Sequence, residues 1–260
     1  MKKRQLIFLL KFLVLITLLL GGYSTHKFFL ESQTIKIANW NLEIFGQAKV
    51  NNFGLMDFYV DKIKNYDIIF IQEIRDNSGT SFSKLCSMLQ NYSCNISSRA
   101  GRTLNKEQYG IIYKDSVNLI SLKDYNPDGK DRWERPPIEV MFNTKGYSLK
   151  IYNIHTKPED VKKELEYLQS IISNKGNVII FGDLNADCSY YSNEKENEFD
   201  SWNWIIKDND DTTSAKTNCV YDRIILNSDA DEEFKDYGIE TKGITADVSD
   251  HYLVWVELKI

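Results

Sequence analysis

The chain has 260 residues, of which 42% are hydrophobic and 27% charged. That is the composition of an ordinary globular protein, long enough for one large domain. A net charge of -5 excludes a protein that holds a polyanion through overall positive charge, so a nucleic acid would need a local basic patch or a bridging cation.

Met1-Lys2-Lys3-Arg4 is a basic start. Leu6 to Leu20 is apolar except for Lys11 and Thr17, and Gly21-Gly22-Tyr23-Ser24 follows. This is the layout of a secretory signal over residues 1–24, cleaved after Ser24 and followed by a linker over 25–34. The rival is an uncleaved anchor. Lys11 leaves the apolar run shorter than the ~20 residues of a spanning helix, which favours cleavage. The expected location is secreted or extracytoplasmic, with a membrane as partner only if the segment is retained. Four cysteines, Cys86, Cys94, Cys188 and Cys219, favour disulfides in an exported chain. No CxxC is present, so zinc is a poor reading.

Ile35 to Trp40 alternates and predicts a strand ending in Asn39-Trp40-Asn41. Leu55, Phe58, Tyr59 and Ile63 have helical spacing within 53–65. Asp67 to Ile71 predicts a second strand, ending in Gln72-Glu73, and residues 83–89 a short helix. Residues 101–108 and 126–137 are polar loops, with the strand Tyr109 to Tyr113 between them. Ile138 to Phe142 and Tyr147 to Ile154 predict a hairpin across Asn143-Thr144-Lys145-Gly146, and its second strand ends at His155. Residues 159–173 are the clearest helix: Val161, Leu165, Leu168, Ile171 and Ile172 form one stripe, Pro158 precedes it and Gly176 follows. Asn177 to Phe181 is a buried strand, and 192–211 is acidic and irregular around Trp202 and Trp204, whose spacing favours core packing over a membrane-facing role. Residues 222–226 and 252–258 are the last predicted strands, with no internal repeat and no low-complexity segment. Strands alternate with helices early and recur as hairpins later, which predicts a mixed sheet system with two sheets face to face and helices outside.

Gly182-Asp183-Leu184-Asn185 directly follows the strand 177–181, so Asp183 and Asn185 sit where it ends. Two residues apart on an extended chain, they project to the same side and can hold a hard cation and a phosphate oxygen together. Asn41, Glu73 and Asp250 repeat the pattern of an oxygen-bearing side chain at a strand boundary. Carboxylates and amides are ligands for magnesium or manganese. Of three histidines, His26 lies in the N-terminal region, while His155 and His251 sit at strand junctions near carboxylates. A lone histidine is more often structural, but this placement favours proton transfer near neutral pH. Asp222 has two readings, a salt bridge to Arg223 or a carboxylate that orients a histidine. Glu107, in the polar loop, is ambiguous by itself.

The segments 35–41, 67–76, Gly101-Arg102 with Lys106-Glu107-Gln108-Tyr109, Ile154-His155, 182–190, 217–224 and 249–252 now stand in one order. On them the chain resembles the endonuclease/exonuclease/phosphatase superfamily, across nearly all of its mature length. The segments Ala186-Asp187-Cys188-Ser189-Tyr190 and 217–224 are narrower and resemble the deoxyribonuclease I branch. The resemblance implies an α/β fold over residues 35–260: a four-layer sandwich of two mixed, mainly antiparallel β-sheets with helices on the outer faces. It implies that Asn41, Glu73, Asp183, Asn185 and Asp250 form the metal- and phosphate-binding set. His155 and His251 match the two catalytic histidines, with Glu107 and Asp222 as their respective acidic partners. Arg75 and Arg135 match DNA- or phosphate-contacting arginines, and Asn105 stands at a substrate-facing position. Cys188 and Cys219 match a structural disulfide. Residues 211–217, with Asp211, Thr213 and Thr217, resemble a structural calcium loop, from which Ala215 and Lys216 depart.

Other departures are Asn105, where vertebrate relatives carry a tyrosine, and Glu43, where they carry an arginine. Both weaken binding to a duplex. A second short disulfide before Arg135 is absent, while Cys86 and Cys94 are extra and close enough in sequence to pair. The expected function is a secreted, Mg2+- or Mn2+-dependent endonuclease that hydrolyses DNA phosphodiesters and leaves 5′-phosphate ends, with DNA as partner and no stable protein partner implied. One rival is a phosphodiesterase of the same fold acting on sphingomyelin, a phosphoinositide or host DNA as a toxin subunit; the deoxyribonuclease-type cysteine segments argue against the lipids. The other is a non-enzymatic surface binder, against which the intact set of site residues argues.

Overall fold

Among the described residues, twelve strands pair into two six-stranded sheets. In this computed structural model the described residues are 33–192, 196–216 and 218–260; the expected signal or anchor (1–24) and most of the linker (25–34) lie outside them. The first sheet runs, in spatial order, β11 (Phe234–Glu240), β12 (Leu253–Lys259), β1 (Thr34–Phe45), β2 (Ile68–Ile74), β4 (Gln108–Lys114) and β3 (Tyr92–Ile96). The second runs β5 (Asn118–Asp124), β6 (Ile138–Thr144), β7 (Tyr147–Asn153), β8 (Asn177–Asp183), β10 (Asp222–Leu226) and β9 (Asn203–Trp204). The helices are α1 (Gln47–Val50), α2 (Phe53–Ile63), α3 (Thr80–Ser87), α4 (Val161–Ile171) and α5 (Ser228–Glu232).

The central strands are apolar on both faces, and the period of two sorts their side chains into separate cores. Ile35, Ile37, Ile68, Phe70, Ile111, Val140, Ile151, Ile179, Phe181 and Ile224 face inward and fill the space between the sheets. The alternate residues Ala38, Trp40, Ile69 and Ile71 pack on Met56, Tyr59 and Ile63 of α2 and on Phe82 and Leu85 of α3. On the other outer face, Tyr152, Val178 and Ile180 pack on Val161, Leu165 and Leu168 of α4. Helix, sheet, sheet and helix therefore stack as four layers, the architecture expected. Each sheet contains one parallel pair built by a helical crossover: β1–β2 through α2, and β7–β8 through α4. The pairs β2–β4, β3–β4, β11–β12, β5–β6, β6–β7, β8–β10 and β9–β10 are antiparallel.

Four strands have no counterpart in the sequence reading: β3, β5, β9 and β11. They are the four sheet edges. β11 buries none of its residues fully, and β5 leaves Asn118, Ile120, Ser121 and Lys123 exposed. Such segments carry no apolar run and become strands only because a neighbour pairs with them. Helix α3 starts at Thr80, earlier than expected. The Asp76 carboxylate accepts N–H bonds from Ser78, Thr80 and Ser81 and so satisfies the free donors of its first turn. These bonds outweigh burial and hold the Asp76 carboxyl well below the usual range. Cys86 is bonded to Cys94, tying α3 to edge strand β3, and Cys188 to Cys219, closing the loop between β8 and β10. Among the described residues no helix is long and apolar enough to cross a membrane.

Candidate active site

The site is built at one end of both sheets, beyond the carboxyl ends of the two parallel pairs, where open α/β sheets commonly bind ligands. β1 and β2 stay in register as far as Asn41 and Gln72, and then the register shifts. Across the shift Glu43 and Ile44 have φ of 44° and 54°, and Glu73 has φ of 60°. Left-handed backbone is strained for such residues, and bulges of this kind re-aim side chains next to functional sites. The bulge brings Ile44 N to Glu73 Oε2 at 2.9 Å. Asn41 Oδ1 accepts from Glu43 N at 2.9 Å, which fixes the orientation of its amide. Asn41 Nδ2 is then left to donate to Glu73 Oε1 at 3.2 Å and Asp183 Oδ2 at 3.1 Å, across the gap between the sheets.

The second sheet supplies the facing groups. His155 follows β7, and Asp183 ends β8. β10 runs antiparallel to β8 with Asp222 directly opposite Asp183. His251 lies just before β12 and forms an isolated bridge with Thr213. Asn185, at φ 47°, donates its backbone N–H to Asp183 Oδ1 at 3.1 Å and its side-chain Nδ2 to Thr156 O at 3.0 Å. Asp250 is half-exposed, with Oδ1 3.8 Å from His251 Nε2.

Both histidines point at Asp183. His155 Nδ1 lies 2.9 Å from Glu107 Oε2, and its Nε2 lies 3.3 Å from Asp183 Oδ2. His251 Nδ1 lies 2.7 Å from Asp222 Oδ2, and its Nε2 lies 3.5 Å from the same Asp183 oxygen. Each imidazole thus has one nitrogen on a private buried carboxylate, which selects the Nδ1–H tautomer and leaves Nε2 for proton transfer at the centre. Burial pushes the Glu107 carboxyl up, but the His155 imidazole and the Arg135 and Arg75 guanidiniums outweigh it and bring it down to about 2. Burial, helped by the charge of Asp183, raises Asp222 against the pull of His251, while Asp222 and Asp183 together raise His251 well above its ordinary value despite its burial. The Asp222–His251 pair therefore holds one proton between them. Burial would also raise Asp183, but the two imidazoles bring it down.

Arg75 bridges the two acids of the first sheet: its NH2 is 2.9 Å from Glu73 Oε2 and 2.9 Å from Glu107 Oε1. Arg135 is turned mostly to backbone, donating from Nε to His155 O at 2.9 Å and from NH2 to Thr156 O at 2.8 Å, with NH1 3.4 Å from Glu107 Oε1. Asn105 is exposed on the loop that hangs from the Ala100–Glu107 bridge. Asp211 Oδ1 accepts from Thr213 N and Oγ1 at 3.0 and 3.1 Å; Thr217 lies outside the described residues.

Three charged residues support the site without a signal that the motif reading picked up. Lys49 Nζ donates to Leu42 O at 2.7 Å and Val248 O at 2.9 Å, joining the β1 bulge to the segment before Asp250. Glu164 accepts from Glu134 N at 2.7 Å and Lys157 N at 3.0 Å, holding the loop that carries Arg135; burial pushes its carboxyl up to about 7 against those two bonds. Arg223 is buried and donates to Ile206 O and Ala186 O, with Asp208 as its ionic partner rather than Asp222. A glutamate inside the apolar stripe of α4 was the legible hint for Glu164.

The donor chemistry fits a hard divalent cation. Ligand atoms of Glu73, Glu107 and His155 lie within 4.8 Å of one another, Asn41 and Asp183 adjoin them, and Asn185 and Asp250 flank Asp183 and His251 respectively.

The comparisons with known proteins bear on the family and the fold. A model of the Endonuclease/Exonuclease/phosphatase family matches residues 38–251. Deoxyribonuclease-1 of Sus scrofa is 31% identical over 262 residues, covering 87% of this chain and 92% of the relative. Deoxyribonuclease gamma of Homo sapiens is 32% identical, covering 86% of each. Among solved structures, a mannosyl-6-phosphatase of Bacteroides thetaiotaomicron has a TM-score of 0.67 at 16% identity, covering 87% of this chain and 100% of that one. D. rerio TDP2 complexed with single strand DNA product has a TM-score of 0.65 at 15% identity, covering 88% and 100%. At such identities these two structures establish the two-sheet fold alone. The family match over most of the chain, together with relatives above 30% identity along nearly all of it, means that the chain belongs to the Endonuclease/Exonuclease/phosphatase family, as a deoxyribonuclease I-like member.

Proposed function

We propose that this chain is a secreted, divalent-metal-dependent endonuclease that hydrolyses phosphodiester bonds in DNA and leaves 5′-phosphate ends. As a deoxyribonuclease I-like member of its family it is a hydrolytic endodeoxyribonuclease. The single observation that supports the finer reading is the convergence of two His–carboxylate pairs on Asp183 Oδ2, at 3.3 and 3.5 Å.

Hydrolysis of a phosphodiester needs a water that loses a proton and a leaving oxygen that gains one. Two imidazoles that present Nε2 to one locus are suited to those two transfers. One would take the proton of the attacking water, and the other would protonate the 3′ oxygen as it leaves. Glu107 and Asp222 would hold each ring in the Nδ1–H tautomer and stabilise its charged form. Glu73, Asp183, Asn185, Asp250 and Asn41 would hold magnesium or manganese, whose charge would offset that developing on the phosphoryl oxygens. Arg75 would steady Glu73 and Glu107 against each other and offer its remaining edge to phosphate. Arg135, bonded to the carbonyls of His155 and Thr156, would act mainly by holding His155 in place.

The test is incubation of the purified chain from Thr25 onward with supercoiled plasmid and magnesium. Nicking to open circles that stops in excess chelator is expected; nicking unaffected by chelator, or none at all, overturns the reading. Secretion is supported by the basic-then-apolar segment 1–24 and agrees with two disulfides. N-terminal sequencing of exported protein should begin at Thr25, and a start at Met1 overturns the cleavage.

A further inference from the structure

We infer that Gln72 is a positioning residue whose primary amide replaces one rung of the β7–β8 ladder and thereby sets the spacing of His155 and Asp183. The inference rests on the endonuclease reading for its assay alone.

β7 and β8 are parallel, with Asn153 opposite Phe181. In such a ladder Ile154 donates to Phe181 O, the N–H of Asp183 returns to Ile154 O, and Thr156 donates to Asp183 O. The first and third bonds are present, both at 3.1 Å. The middle one is replaced. Asp183 N donates to Gln72 Oε1 at 2.9 Å, and Gln72 Nε2 donates to Ile154 O at 2.9 Å. A side-chain amide from the opposite sheet is therefore interposed between the two strands, bridging Ile154, which adjoins His155, and Asp183 itself.

Three further observations show that the place is built for it. First, the amide has one permitted orientation, because Ile154 O requires a donor and Asp183 N an acceptor. Second, Gln72 is fully buried, and a closed ring of amides holds it from below. Asn39 Nδ2 donates to Gln72 Oε1 at 3.1 Å, Gln72 Nε2 to Asn153 Oδ1 at 3.2 Å, and Asn153 Nδ2 to Asn39 Oδ1 at 2.8 Å. Third, the residue before Asp183 is Gly182 at φ 151°, where a Cβ would overlap Ile154 O and approach Gln72 Nε2 to 2.9 Å. Only glycine leaves room for the wedge.

The consequence is geometric. A direct rung would close the local gap between Ile154 O and Asp183 N, re-aim the backbone at Gly182 and so shift His155 relative to Asp183, whose side chains now meet at 3.3 Å. Because Gln72 adjoins Glu73, the same peg ties the position of that carboxylate to the opposite sheet.

The test compares Gln72→Met, which keeps the volume but loses every bond, with the double variant Asn39→Ala/Asn153→Ala, which removes the ring but leaves the wedge. Plasmid nicking by the parent comes first; a parent that does not nick refutes the functional reading and leaves the wedge to be judged by the crystal structure described below. Expected for Gln72→Met, under conditions where circular dichroism shows it folded, is a fall in kcat of about 10²-fold with KM for DNA within about threefold, the scale of a reacting group misplaced by about an ångström. The double variant should lose thermal stability but keep kcat within about threefold. If Gln72→Met does not fold, Gln72→Glu replaces it: the shape remains, Asp183 N–H keeps its acceptor, Ile154 O loses its donor, and kcat should fall in the same way. A crystal structure of folded Gln72→Met should show Asp183 N bonded directly to Ile154 O; in Gln72→Glu the carboxylate keeps Asp183 N, and Ile154 O should move away from it. The inference is overturned by a kcat within about threefold of the parent, by a loss that resides in KM, by an equal loss in the double variant, or by a gap between Ile154 O and Asp183 N that stays open in Gln72→Met.

Discussion

His155 and His251 present the same atom to the same oxygen, yet they are mounted in opposite electrostatic settings. The carboxylate behind His155 sits among cations: Glu107 has Arg75 at 2.9 Å and Arg135 at 3.4 Å besides the imidazole. The carboxylate behind His251 is drier; among the described residues the ionic partner of Asp222 is His251 itself, at 2.7 Å. Glu107 is therefore held ionised by two guanidiniums as well as by its imidazole. Asp222 depends on His251 to offset its buried charge, so the two share a proton. Equal geometry has been reached by different means, and the two halves of the site should fail differently.

Removal of the rings is the largest perturbation and tests what the halves have in common. His155→Ala and His251→Ala should each lower nicking by at least ~10²-fold, the scale of positioned acid–base catalysis, with the fold retained by circular dichroism. Near-native nicking by either variant would break the symmetry of the pair.

Removal of the charge behind each ring tests the contrast itself. Glu107→Gln leaves two guanidiniums beside a neutral amide and should destabilise the protein by about 3 kcal/mol, the lower end for breaking a buried pair. Asp222→Asn removes a buried charge whose one ionic partner, His251, can shed its proton, and so should cost less than Glu107→Gln. Urea unfolding of the two variants in chelator measures both, and equal losses would erase the difference argued here.

The pH dependence should separate the halves by sign. A carboxyl held down at about 2 contributes stability that is complete above its unfolded value near 4.5 and is lost as the pH falls through 2. The stability gap between parent and Glu107→Gln should therefore close on the acid side. A histidine raised well above 6.5 contributes stability that is complete below 6.5 and is lost as the pH rises through its folded value. The gap between parent and Asp222→Asn should narrow on the alkaline side. Melting curves in chelator from acid to alkaline pH read both, and two gaps that close at the same end would contradict the charge assignment.

The smallest effect concerns the loop that hangs from Glu107. Asn105 offers no aromatic face, and Glu43 adds negative charge on the bulge of β1, with Lys49 3.8 Å away. Asn105→Tyr with Glu43→Arg should tighten binding to duplex DNA by roughly 1 kcal/mol, below the scale of base stacking in single-strand binders, and steepen its salt dependence. kcat should hardly move, since neither side chain reaches a histidine. An unchanged salt slope would mean that DNA takes another path.

Residues buried on two faces were legible in the sequence, and so were the site residues that end them. β2 and β8 read as apolar runs because both of their faces are covered, and Glu73 and Asp183 stood out as the polar residues where those runs stop. The edge strands β3, β5, β9 and β11 did not read as strands, since one covered face leaves no run to see and pairing is a property of the neighbour. The bulge at Glu43–Ile44 and Glu73 was equally silent, because register is set between strands and not along one.

Asp222 draws the line most sharply. Two partners were open to it in the sequence, Arg223 beside it and a histidine far along the chain. The local chain determined that Asp222 and Arg223 would lie on opposite faces of any strand, by the period of two. Tertiary structure alone decided what each face met: β10, paired against β8, set Asp222 opposite Asp183 and beside His251, and sent Arg223 outward to Asp208. A strand's own residues state which side chains share a side; only the packing of the second sheet against the first states what that side faces.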